Sequence, residues 1–130
     1  MMKKNIRNLF LLSAFTVQTM AHAGIDEAML AFQQEDYRTA VNEFKPLAEQ
    51  GDIRSQFHLG LIYGLGGGGV SEDLVQAYKW FSLAIEAGND KAKPFRDSMA
   101  KSMSPSQIEQ AKQLTKEWLK KTGSDWKNAN

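Results

Sequence analysis

The chain has no cysteine in 130 residues. Disulfides and thiolate metal sites are therefore excluded, and the fold must be held by packing alone. Charge of one sign is also missing: 16 Lys plus Arg stand against 15 Asp plus Glu. That balance provides no electrostatic footprint for nucleic acid or an anionic membrane. The run Leu9–Val17 (LFLLSAFTV) has nine residues, and no longer apolar segment follows it. Nine is well short of the roughly 20 needed to span a bilayer.

The same short run, preceded by Lys3, Lys4 and Arg7 and followed by Ala21-His22-Ala23, has the three parts of a signal peptide. The spacing predicts cleavage after Ala23 and a periplasmic or secreted protein. With no cysteine after the apolar run, attachment of a lipid through a thiol is not expected. Setting residues 1–23 aside removes three basic residues and leaves 107 residues with net charge −2. About 100 residues suffice for one domain held by helix packing.

Residues 51–88, GDIRSQFHLGLIYGLGGGGVSEDLVQAYKWFSLAIEAG, organise the rest. They read as helix, glycine turn, helix. Ser55, Leu59, Ile62 and Tyr63 share one face at 3.6-residue spacing, as do Ala77, Trp80, Phe81, Ala84 and Ile85. Two such helices are half of a packed unit and need neighbours. Laying residues 35–52 over 72–89, a shift of 37, gives six identities in 18 positions: Glu35/Glu72, Asp36/Asp73, Ala40/Ala77, Phe44/Phe81, Glu49/Glu86 and Gly51/Gly88. The identities fall at helix starts, core points and glycine stops, which predicts an internal repeat.

The flanking segments fit the same pattern. Residues 25–34 place Ala28, Met29 and Phe32 on one helical face. Asp36 is an N-cap candidate for a helix over 37–50 that turns Ala40, Val41, Phe44, Leu47 and Ala48 inward. Pro46 is expected to bend that helix, and Gly51 to end it. Asn89 or Asp90 is expected to start a short helix with Pro94 near its first turn. Ser104-Pro105-Ser106-Gln107 predicts a capping box. The helix it opens runs to Lys121 with Ile108, Ala111, Leu114, Thr115, Trp118 and Leu119 on one stripe. Residues 122–130 read as a tail in which Trp126 alone offers something to dock.

Residues 55–92 resemble a Sel1-like repeat, a relative of the tetratricopeptide repeat. The resemblance is carried by Ser55, Leu59-Gly60, Tyr63, Gly66 to Gly69 with Val70, Asp73, Ala77, Trp80-Phe81, Ala84 and Gly88. Residues 25–50 resemble a degenerate preceding unit, and 89–121 the tail that follows a last repeat. The resemblance implies an all-α fold: a short α-solenoid of antiparallel helix pairs over 24–121 with a C-terminal capping helix. Ser55 stands where the family has alanine, and is expected to bond back to a carbonyl. The glycine turn is one residue longer than the pattern, which is expected to loosen it. Some secreted relatives pair cysteines in each repeat, and this chain has none.

Three chemical motifs fail on context. Gly64-x-Gly66-x-x-Gly69 matches a dinucleotide fingerprint, but a helix precedes it and Glu72-Asp73 follow it. Ser98-x-x-Lys101 and Lys121-Thr122-Gly123 echo penicillin-binding enzymes without the remaining element or the two-part fold. His58 has no carboxylate three or four residues away. No catalytic, cofactor or metal site is therefore expected. In the stacked-repeat architecture the first helix of each pair lines the concave side. Arg54, Phe57, His58 and Leu61 point away from the predicted packed face, so these four are the candidate partner-binding residues. The resulting reading is a non-enzymatic envelope adaptor that binds a protein or peptide on its concave face. Its alternatives are a hydrolase acting on beta-lactams or cell-wall peptides, and a secreted effector that binds host proteins.

Overall fold

In the computed structural model, which describes residues 24–123, four helices begin where an acceptor side chain stands in front of them. The order is α1 (24–33), α2 (Tyr37–Glu49), α3 (Ile53–Leu65), α4 (Leu74–Glu86), α5 (Ala92–Ala100) and α6 (Pro105–Lys121). Asp36 caps α2 through the Thr39 N–H at 3.2 Å, Asp52 caps α3 through Ser55 at 2.8 Å, and Asp73 caps α4 through Gln76 at 3.0 Å. Each supplies one acceptor to an amide that the first turn leaves unpaired. Ser104 and Gln107 form the expected reciprocal box, with Pro105 opening α6. The described residues contain no strand, only an isolated bridge between Gly67 and Val70. The all-α expectation holds. The putting-aside of residues 1–23 as a leader, and the docking of Trp126, concern residues outside those described.

The 37-residue shift is a structural repeat. Gly51 donates to Ala48 O and Asp52 to Leu47 O; Gly88 donates to Ile85 O and Asn89 to Ala84 O. Both glycines have positive φ, +94° and +109°. Both helices thus end in the same Schellman geometry, the glycine supplying the left-handed residue. α2 continues through Pro46 to Glu49.

From α2 to α5 successive helices pack together, α2 on α3, α3 on α4 and α4 on α5, and α6 returns onto α4. α4 is the hub. Its Trp80 and Leu83 join Ala40, Phe44, Leu59 and Ile62 in one core cluster. Its Ala77, Phe81 and Ala84 meet Ala92 in a second, and its Tyr78 meets Met103 and Ala111 in a third. Gly60 lets α3 and α4 approach: a Cβ there would sit 2.6 Å from the Phe81 ring, closer than packed atoms tolerate.

Three local expectations are corrected. Asn89 does not cap α5, which starts at Ala92 without a side-chain cap; its Oδ1 accepts from Lys91 N–H in the preceding turn. Ser55 donates to Asp52 Oδ1 at 2.7 Å instead of a carbonyl, because it stands in the first turn opposite the capping carboxylate. The long glycine turn is not loose. Gly67 and Val70 exchange both backbone hydrogen bonds across Gly68 and Gly69, both at positive φ, a type I′ turn. Gly68 O accepts from Arg38 N–H at 3.0 Å. The turn of one unit thus satisfies an orphan amide at the start of the helix in the unit before it. A Cβ on Gly68 would collide with Glu35 O.

Candidate functional site

The four candidate residues all lie on α3, and the structure separates them. Arg54 is exposed, its side chain 66% accessible and 3.9 Å from the Asp52 carboxylate, a contact of little energetic weight at that exposure. Phe57, His58 and Leu61 are half-buried. The helical pattern that turned these three away from the packed face does not hold. α3 lies between α2 and α4, so it is covered on two sides. Phe57 and Leu61 pack on the Ala77–Phe81–Ala84 face of α4.

His58 lies among phenylalanines. Its ring stacks on Phe44 at 5.1 Å and meets Phe32 and Phe57 edge-on at 5.0 and 5.7 Å. Nδ1 is 2.8 Å from Arg54 O. A carbonyl only accepts, so Nδ1 carries the proton and the ring orientation is set. Phe57 continues the contacts to Phe95 on α5 at 5.5 Å and to Phe81 at 5.8 Å. Phe32, His58, Phe57 and Phe95 form a continuous aromatic line across α1, α3 and α5, the first helices of successive pairs. Phe95 is its accessible end, at 41% exposure.

Phe95 was missed in the sequence. The signal available was a lone aromatic one residue after Pro94, in a nine-residue helix without a cap, and such a helix carries weak periodicity. Electrostatics nearby are mild. Burial, and secondarily the Asp73 carboxylate, push the Tyr63 hydroxyl pKa up. Lys79 lies over the Trp80 ring at 4.3 Å, and burial lowers its pKa against the opposing pull of Glu49.

The motifs that imitate catalytic sites find no support in geometry. Ser98 is exposed on α5, and Lys121-Thr122-Gly123 ends α6, where Thr122 Oγ1 donates to Trp118 O. Gly64 lies within α3, and Gly66 to Gly69 belong to the turn described above. Among the described residues no group of three His, Cys, Asp or Glu is placed to hold a metal, and no helix is long and apolar enough to cross a membrane.

No curated protein matches the chain. One family does, over a span that takes in α3, the glycine turn, α4 and its glycine stop. That span contains His58 and Phe57, the two middle rings of the aromatic line. Residues 53–89 match the Sel1 repeat, which here is the pair α3 and α4 with the turn between them.

Proposed function

We propose that the chain is an exported, non-enzymatic adaptor that holds a protein or peptide in the bacterial envelope, along the concave side lined by α1, α3 and α5. The observation that carries this reading is the aromatic line Phe32, His58, Phe57 and Phe95. It crosses three successive first helices of a Sel1-type stack and ends in an exposed ring. Aromatic side chains are preferred anchors because they bring large contact area at low entropic cost. Arg54 borders the line as an exposed cation, and Leu61 lies one turn beyond Phe57.

Site-specific photocrosslinking in cells tests the reading. A photoreactive phenylalanine at Arg54 or Phe95 is expected to trap one partner, and the same group at Lys112 on α6 to trap none. Equal trapping from both faces, or none from either in a folded protein, contradicts it. Export is tested separately: the protein recovered from the periplasm is expected to start at Gly24, and an intact Met1 in the cytoplasm sinks that part.

A further inference from the structure

A cavity of about 360 Å³ lies away from the aromatic line, where the end of α6 meets the start of α3 and the ends of α2 and α4. That volume is at the low end of pockets that hold small organic groups, roughly 300–1,000 Å³. Its apolar walls are Ile53, Leu83, Trp118 and Leu119. Leu83 is buried, but Trp118 and Leu119 are half-buried and Ile53 is 37% exposed. Trp118 and Leu119 pack against the first core cluster from α6. α6 is the last described helix, so no later helix among the described residues covers what this stripe leaves open. The end of a repeat stack lacks a neighbour for its apolar face and needs a cap of its own.

The chain continues from the wall of this cavity. Gly123, the last described residue, lines it. The sequence after it reads SDWKNAN, in which Trp126 is the only large apolar residue. From Gly123 to Trp126 the backbone spans at most about 10 Å, which keeps the ring close to this rim. Gly123 also sets the direction. Its φ is +54°, and its N–H donates to Lys120 O. Gly51 and Gly88 make the same bond, to Ala48 O and Ile85 O. After each of those two the chain reverses and packs on the helix it has just left, α3 on α2 and α5 on α4. A left-handed glycine at a helix end permits that sharp reversal.

We propose that this cavity is the seat of the chain's own Trp126, which the reversal at Gly123 carries over Trp118 and Leu119 and onto Ile53 and Leu83. An indole is a large apolar body that gains from such walls, since an aromatic side chain buries roughly 150–250 Å². Seated there, the ring ties the end of α6 to the glycine stop of the first 37-residue copy, Gln50-Gly51, and to Ala87 at the end of the second. It is the cap that the end of the stack otherwise lacks. The seat is distinct from the aromatic line, and its occupancy can be measured whether or not the adaptor reading stands.

NMR of the full chain tests this. The Trp126 indole protons are expected to show nuclear Overhauser contacts to the methyls of Ile53, Leu83 and Leu119. Trp126→Ala is expected to lower the urea midpoint and to shift the backbone amides of Gly51, Ala87 and Gly123, whereas Lys127→Ala beside it does neither. Free indole added to the Trp126→Ala chain is expected to return those amides saturably towards their native positions, and to leave the native chain unmoved. Indole that binds the native chain equally well overturns the proposal, since the native chain would then not fill the seat. Contacts from the Trp126 ring to any other face overturn it too. Mixing chains labelled in the indole with chains labelled in the methyls separates a second copy as occupant: contacts found only between differently labelled chains also overturn it.

Discussion

α2 and α4 are the same helix written twice, yet they are covered differently. Both have 13 residues, an aspartate N-cap, an inward phenylalanine six positions before the C-cap and a glycine in the left-handed conformation after it. α2 fully buries Ala40, Phe44 and Ala48. α4 buries the equivalent Ala77 and Phe81 and adds Tyr78, Trp80, Ser82, Leu83 and Ala84. The difference comes from position in the stack: α4 has α3, α5 and α6 around it. Equal punctuation with unequal burial shows that the caps define the copies, while neighbours decide how much each contributes to the core.

Mutating the equivalent phenylalanines tests this first. Phe81→Ala is expected to cost about 4 kcal/mol and Phe44→Ala about 3. Both rings are fully buried, but Phe81 touches two rings, Phe57 and Phe95, against the one, His58, on which Phe44 stacks, and ring pairs add beyond area. Either loss is a large share of a domain's stability. Urea unfolding of both variants settles the order, and a larger loss at Phe44 would remove α4 from its place as hub.

Two glycines probe the joins between helices. Gly60→Ala drives a Cβ into the Phe81 ring and is expected to cost about 2 kcal/mol. Gly68→Ala is expected to cost about as much, by strain at φ +55° and by collision with Glu35 O. Amide exchange at Arg38, whose N–H donates to Gly68 O, is expected to accelerate in the Gly68 variant alone.

The caps sharpen the comparison, because they should be equal. Asp36→Ala and Asp73→Ala are each expected to lower the urea midpoint by a similar, modest amount at unchanged slope. A smaller effect concerns acid. The Thr39 side-chain hydroxyl, then its backbone N–H, hold the Asp36 carboxyl below its usual 3.8. The stability this cap contributes is therefore present above pH 3.8 and lost as pH falls through the lower folded value. Exchange at the Thr39 amide is expected to quicken there, and Asp36→Asn to remove the pH dependence.

What could be read from the chain was local. Capping aspartates, glycine stops and the Ser104–Gln107 box are short-range patterns, and the structure places them as expected. What escaped depends on a third element. Phe57 and Leu61 were assigned outward because a helical wheel offers one buried face, whereas α3 has neighbours on both sides and buries even Gln56. Gly68 was read as slack because nothing in five glycines says that one carbonyl will accept from a helix start thirty residues earlier. Phe95 was overlooked because α5 is short and begins without a side-chain signal.

The central claim is that the two 37-residue copies form one stack and do not fold apart. Native-state hydrogen exchange under low urea tests it directly, with amides in the middle of α2, around Phe44, compared with those around Phe81 in α4. The account predicts that the slowest amides of both helices merge into a single opening reaction with the slope of global unfolding. A separate opening of α2, with a shallow slope and α4 still protected, would contradict it.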